Sequence, residues 1–210
     1  SSSSSSSSSS KAGGAQTESA PVPSPMSAGP SISYAGDSEI LDNSRLLQLF
    51  QCVPMRHYIL GTWTLLYSIT RDGVWLDGFY QAAAKAEKTL LVLRDADHTV
   101  FGGFATHKWV KRQHEFYGSG ESFVFVWKDE EEEDRGGSFA TYPWSGRNTF
   151  WQHSTSDQIA FGGGNNFAIS LDSQFDEGFS GECHTYDSPR LTPDDMFQCH
   201  LFELWGVVES

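Results

Sequence analysis

A mostly-β domain, built as a β-sandwich of two antiparallel sheets flanked by short helices, is the fold class the sequence predicts. Three observations carry the prediction. The chain holds 15 Phe, 7 Tyr and 7 Trp, spread from Tyr34 to Trp205, so core material runs along most of its length. It also holds 20 Gly, the residue that tight turns demand. Beyond Lys88, about nine short apolar segments alternate with turn signals, which is the rhythm of a sandwich or barrel.

Residues 1–38 are expected to be a disordered tail. Ser1 to Ser10 is a homopolymer, and Ala, Gly, Pro and Ser dominate from there to Tyr34. Such a segment buries too little apolar surface to offset its ordering entropy. Residues 39–210 are expected to form one domain, a length that can bury roughly 70% of its unfolded surface.

Within the domain, Asp42-Asn43-Ser44 offers helix caps. Leu46, Leu47, Phe50 and Val53 follow at helical spacing until Pro54 stops the pattern. Thr62 to Tyr67 reads as a buried strand. Asp72-Gly73 forms a turn or cap, and Trp75, Leu76, Phe79, Tyr80 and Ala83 carry a second helix to about Glu87. The period then changes to that of strands. Thr89 to Leu93 and Thr99 to Ala105, joined by Asp95-Ala96-Asp97-His98, read as a hairpin. Further strands are expected at Ser122–Trp127, Ser138–Tyr142, Thr149–His153, Gln158–Phe161, Phe167–Leu171, Gly181–Tyr186 and Cys199–Val208. No internal repeat is visible.

Charge and cysteine usage exclude several function classes. The net charge is −13, and Asp129 to Asp134 supplies six acidic residues in one run. An acidic chain does not attract phosphate backbones, so nucleic-acid binding is disfavoured, as is docking to anionic membrane through a polybasic patch. Lys108, Lys111 and Arg112 form a short basic cluster read as a solvated loop. Three widely spaced cysteines, Cys52, Cys183 and Cys199, without a secretory signal point to a reducing compartment, and cytoplasmic localisation is expected. No apolar run reaches the ~18 residues that a membrane span needs.

Each candidate for chemistry meets a plainer alternative. Phe161-Gly162-Gly163-Gly164-Asn165-Asn166 looks like a phosphate loop, but a strand pattern follows where a helix is required, so a Gly-rich turn is expected. Gly118-Ser119-Gly120-Glu121-Ser122 has neither the spacing nor the following helix of a nucleophile elbow, which argues against Ser122 as a nucleophile. Cys183-His184 and Cys199-His200 are adjacent pairs, whose side chains would point to opposite faces of a strand; no metal and no cofactor is expected. Glu203 interrupts the apolar Leu201-Phe202-Glu203-Leu204-Trp205, and Glu121 stands just before Phe123-Val124-Phe125-Val126. Two carboxylates in apolar surroundings are the candidates for an acid–base pair. The plainer reading is that each accepts backbone N–H bonds or pairs with an arginine such as Arg71, Arg94 or Arg147. Direct peroxide chemistry at a cysteine would need an exposed, electropositive setting, and Glu182 beside Cys183 opposes it.

Six motifs in order resemble the TLDc domain, the module of the oxidation-resistance protein family. They are Leu66-Tyr67-Ser68-x-x-Arg71-Asp72-Gly73; Thr89 to Asp95 followed by Val100-Phe101-Gly102-Gly103-Phe104; Phe116-Tyr117-Gly118-Ser119-Gly120-Glu121-Ser122-Phe123; Trp144-Ser145-Gly146-x-Asn148; Phe161-Gly162-Gly163-Gly164; and Leu201-Phe202-Glu203-Leu204-Trp205-Gly206. The resemblance runs from about Leu46 to Val208. Three departures stand out. Trp75 occupies the position of a family Ser that would cap the second helix, shifting the expected cap to Asp72. Ala168-Ile169-Ser170-Leu171-Asp172 replaces a common Gly-Leu-Trp-Leu-Asp, and the acidic run is long for the family. The resemblance implies a sandwich with peripheral helices. It also implies a non-catalytic regulatory module, because family members protect cells from oxidative stress and no active site is agreed for them. Several bind the cytosolic peripheral stalk and catalytic head of the vacuolar-type proton ATPase. The implied setting is thus the cytosolic face of vacuolar or endolysosomal membranes, reached through that pump without membrane insertion. The alternative is an oxidative-damage enzyme working through Glu121 and Glu203.

Overall fold

The computed structural model describes residues 2–4, 32–112, 115–128 and 138–209. The chain divides into a unit spanning Ser1–Pro30 and one spanning Ser31–Ser210, and the fold belongs to the second. Most of the expected tail, and the acidic run Asp129–Asp134, lie outside the described residues. The expected tail boundary at residue 38 is too late. Residues 34 and 35 form strand β1 (Tyr34–Ala35), which pairs in parallel with β2 (Gly61–Ser68).

Between these strands lies α1 (Asn43–Cys52). Asp42 caps it by accepting a hydrogen bond from Arg45 N at 2.9 Å, and Pro54 follows its end. A 3₁₀ turn, Met55–His57, leads into β2. A single helical turn, α2 (Ile69–Asp72), and then α3 (Leu76–Ala83) follow. The cap expected from Asp72 does not form on α3. Its Oδ2 reaches back to accept from Ser68 N at 3.1 Å, and Trp75 N instead donates to the Tyr67 hydroxyl at 3.0 Å.

The remaining strands are β3 (Thr89–Asp95), β4 (Val100–Ala105), β5 (Phe116–Tyr117), β6 (Phe123–Lys128), β7 (Ser138–Pro143), β8 (Gln152–Ser154), β9 (Gln158–Phe161), β10 (Ile169–Asp172), β11 (Glu177–Phe179) and β12 (Met196–Glu209). Their order is β5-β8-β9-β10-β11-β12-β3-β4-β6-β7, and β2 joins the other flank of β12. All pairs but β1–β2 are antiparallel. β12 is therefore common to two sheets. Its first residues, Met196 to Gln198, pair with β11, and from Cys199 onward it pairs with β3, with β2 added from Glu203. Register shifts between Cys199 and Leu201 and between Leu204 and Trp205 let it twist from one sheet into the other.

Two cores result. Between the sheets, Leu91, Leu93, Phe101, Val124 and Val126 meet Phe161, Ile169 and Leu171, with α3 closing one side. Phe79 sits at the centre of an aromatic group with Tyr67, Trp109, Phe175 and Phe202, ring centroids 5.6–6.1 Å from its own. On the outer face, Leu90, Val92, Phe104, Phe125 and Trp205 are covered by α1 and by residues 32–41. Phe50 stacks on Trp63 at 4.8 Å and meets Trp205 edge-on at 5.8 Å. Covering both faces is why β3 reads as the unbroken apolar run Thr89-Leu90-Leu91-Val92-Leu93 rather than an alternation.

The expected strand at Gly181–Tyr186 is a turn bearing one isolated bridge, Cys183 to Ser188. Its alternating side chains anchor a loop: the Tyr186 hydroxyl donates to Trp151 O at 2.7 Å, and Thr185 Oγ1 to Asn148 Oδ1 at 2.6 Å. Strand at Thr149–His153 shrinks to Gln152–Ser154. The second helix stops at Ala83, four residues before the expected Glu87.

Gly102 marks the tightest approach in the main sheet. A Cβ there would overlap the Leu91 carbonyl oxygen of the neighbouring strand and come within 2.8 Å of the Phe125 ring. Neither the ladder nor the ring can move freely, so Gly102→Ala is expected to lower unfolding free energy by about 3 kcal/mol in urea titration.

Candidate functional site

Glu203 is fully buried on the outer face of β12. Its carboxylate accepts from Ser38 Oγ at 2.5 Å, from Glu39 N at 2.8 Å and from Trp205 Nε1 at 3.4 Å. Ser38 Oγ also accepts from Leu41 N at 2.9 Å, which ties the carboxylate to the start of α1. No arginine is among these partners. The group closes the N-terminal strap onto the sheet, using three donors to offset the loss of water.

Glu121 is placed differently. It forms an ion pair with Arg56 Nη2, and its Oε2 stands 2.5 Å from His57 Nε2, outside hydrogen-bond alignment. Both partners come from the 3₁₀ turn after α1. The two carboxylates are not brought together. Along the registers Glu203 faces Val92, Val92 faces Gly102 and Gly102 faces Phe125. That is three strand spacings, roughly 14 Å, and Glu121 lies further along, before β6 begins. They cannot share a proton directly. The sequence did not single out Arg56 and His57; their positions beside Pro54 carry no pattern that points across to Glu121.

The other candidates are also held by local structure. Ser122 Oγ is buried against Ser119 O at 2.9 Å and the Tyr186 hydroxyl at 3.0 Å, neither of which is a base at neutral pH. Burial pushes Tyr186 far above the ordinary phenol range. Cys199 Sγ donates to Leu201 O at 3.3 Å, and burial, reinforced by Asp172, Asp176 and Asp95, raises its thiol to about 12. That keeps it protonated and unreactive at neutral pH. Cys183 Sγ is buried beside Gly163 O at 3.7 Å. The Gly162-Gly163-Gly164 segment is a turn with φ of +79° at Gly162 and +97° at Gly164, and Gly163 N donates to Thr185 Oγ1 at 3.0 Å. No group of three or more His, Cys, Asp or Glu suited to a metal occurs among the described residues.

Exposed apolar side chains offer a different kind of site. Leu60 is 77% exposed and Ile59 55%, next to exposed Met55 on the connection from α1 to β2. Trp75 is 55% exposed at the start of α3, with Val74 beside it and its ring lying over Gly78. Large apolar groups left in water on connections between rigid strands are suited to contact another macromolecule.

Burial holds the Glu203 carboxyl above its ordinary 4.5, against the opposing pull of its hydrogen bonds from Ser38, Glu39 and Trp205. A carboxyl raised on folding binds its proton more tightly in the native state, so stability falls as pH rises from the ordinary value through the native one. Asp95 shifts in the same direction. The part of that decline lost in Glu203→Gln therefore measures Glu203 alone. Glu203→Ala is expected to cost about 3 kcal/mol in urea titration, with faster amide exchange at Glu39 and Leu41. Unchanged stability would show that the latch contributes nothing to the fold.

Comparison with known proteins gives one family. The family model for the TLDc domain matches residues 34–208. Nuclear receptor coactivator 7 of Gallus gallus is 30% identical over 171 residues, covering 80% of this chain and 18% of that protein. Oxidation resistance protein 1 of Homo sapiens is 32% identical over 171 residues, again 80% of this chain and 18% of the relative. Oxidation resistance protein 1 of Mus musculus is 32% identical, with 19% of its length covered. The chain thus spans less than a fifth of these relatives. The match takes in both sheets, the shared strand β12 and the strap from Tyr34, and the chain belongs to the TLDc domain family.

Proposed function

We propose that this protein is a non-catalytic regulatory module that binds the cytosolic part of the vacuolar-type proton ATPase and thereby contributes to oxidative-stress resistance. The observation that carries the reading is the extent of the family match, which takes in nearly the whole folded unit, residues 34–208. Family members protect against oxidative stress, several bind that pump, and two of the relatives matched here carry the name Oxidation resistance protein 1. The site chemistry favours binding over turnover, since Glu121, Glu203, Ser122 and Cys199 are each engaged by local structural partners.

Binding would act on the peripheral stalk and catalytic head from the cytosolic face of vacuolar or endolysosomal membranes. No helix among the described residues is long and apolar enough to cross a membrane. A bound module shifts an assembly or rotary equilibrium only through unequal affinity for its states. Leu60 and Trp75 are the side chains best placed to supply that affinity, because large groups already in water gain most when a partner covers them.

The test is a pull-down from cytosol and vacuolar membranes with the full chain as bait, read by mass spectrometry. Stalk and head subunits are expected in the eluate. Leu60→Asp and Trp75→Asp should each reduce their recovery about tenfold while changing stability by under about 0.5 kcal/mol. A folded bait that recovers no pump subunit in any nucleotide state would sink the proposal.

A further inference from the structure

The chain carries 27 acidic and 14 basic residues, so on average its surface repels anions. One cavity departs from that average. It has a volume of about 500 Å³ and brings together Arg56, Lys85, Lys88 and Lys108, beside His57, against two carboxylates, Glu87 and Glu209. Four cations against two carboxylates line it, and with Glu121 paired to Arg56 the cluster keeps a local excess of one positive charge in a molecule of net charge −13.

The charges come from separate parts of the fold. Arg56 and His57 lie on the 3₁₀ turn, Lys85 and Lys88 on the connection from α3 to β3, and Lys108 just after β4. They meet at the end of β12, where Val208 pairs with Thr62 and Glu209 with Gly61. Lys88 is drawn to Glu87 at 3.4 Å and Arg56 to Glu121, but among the described residues Lys85 and Lys108 form no ion pair. His57 registers the resulting field. After burial, the positive charges of Lys88 and Arg56 are what hold its imidazole below the usual range.

We propose that this cavity binds a small anion carrying two or more phosphate groups. Ammonium groups act on phosphate as point charges and need no planar match. Lys85 and Lys108, standing on different connections, can each meet a separate phosphate. A ligand with two anionic groups meets both of these lysines, whereas a single anionic group would leave one of them without a partner. The volume is within the ~300–1,000 Å³ range of small-molecule sites. The same phosphate chemistry could arrive on a soluble polyphosphate or on an inositol phospholipid headgroup.

The experiment is calorimetric titration of the full chain with sodium tripolyphosphate at low ionic strength, where screening is weak. In parallel, phosphatidylcholine vesicles with and without phosphatidylinositol bisphosphate are tested in a co-sedimentation assay. Saturable one-to-one binding of tripolyphosphate is expected. The double variant Lys85→Gln/Lys108→Gln should weaken it about tenfold. Lys111→Gln/Arg112→Gln removes the same charge outside the cavity lining and should change it less than about twofold. Thermal unfolding of each variant confirms the fold, and Lys108→Gln alone serves if the double variant is unstable. Phosphoinositide-dependent vesicle binding that tripolyphosphate displaces would assign the phosphates to a lipid headgroup; tripolyphosphate binding without vesicle binding would assign them to a soluble ligand. The proposal is overturned by absence of saturable binding, or by equal weakening in the two double variants.

Discussion

The fold depends on one strand having both edges and both faces occupied. β12 pairs with β11 at its start, then with β3, and with β2 on the opposite edge from Glu203 onward. From Glu203 to Gly206 its backbone is engaged on both edges, and the strands on either side take their places against it. Phe202 and Leu204 point into the core between the sheets and Trp205 into the outer core. Glu203 falls on the outer side by the same alternation. Its carboxylate would be intolerable there without donors, and the strap residues Ser38 and Glu39 bring them.

This arrangement explains what was legible in the sequence. Long elements were readable because their periodicity is set by burial: α1 from Asp42 to Pro54, β2, and the β3–β4 hairpin stand close to where the residue pattern places them. β1, β5 and β11 are two or three residues long, too short for any period to declare itself. Tyr34–Ala35 was hidden further by the low-complexity stretch before it. Gly181–Tyr186 misled for another reason. Buried Cys183 and Thr185 alternate with exposed Glu182 and His184 as on a strand, yet Thr185 and Tyr186 serve as hydrogen-bonded plugs of a loop, and only contacts distant in sequence reveal that.

The candidate site was legible as a list of unusual residues and not as an arrangement. A carboxylate in an apolar run announces that something must satisfy it, but not whether the partner is substrate, arginine or backbone. For Glu203 the partner lies 164 residues away at Glu39. For Glu121 it is a turn whose sequence carries no charge pattern worth noting. The basic cavity was invisible for the same cause. Lys108 reads as part of a solvated loop, and nothing in the sequence links it to Lys85 and Lys88 until the end of β12 gathers their connections around one hollow.

The parallel pairing of β1 with β2 gives the domain a direction under mechanical load. Tension applied from upstream of residue 32 reaches the fold at Tyr34 and Ala35, which register with Trp63 and Thr64. It then meets Ser38 and Glu39, clasped by Glu203 on the central strand. Residues 32–41 are thus the part of the fold that an arm joined at this end would load first, and they cover the outer aromatic face around Phe50 and Trp205 rather than the inner core.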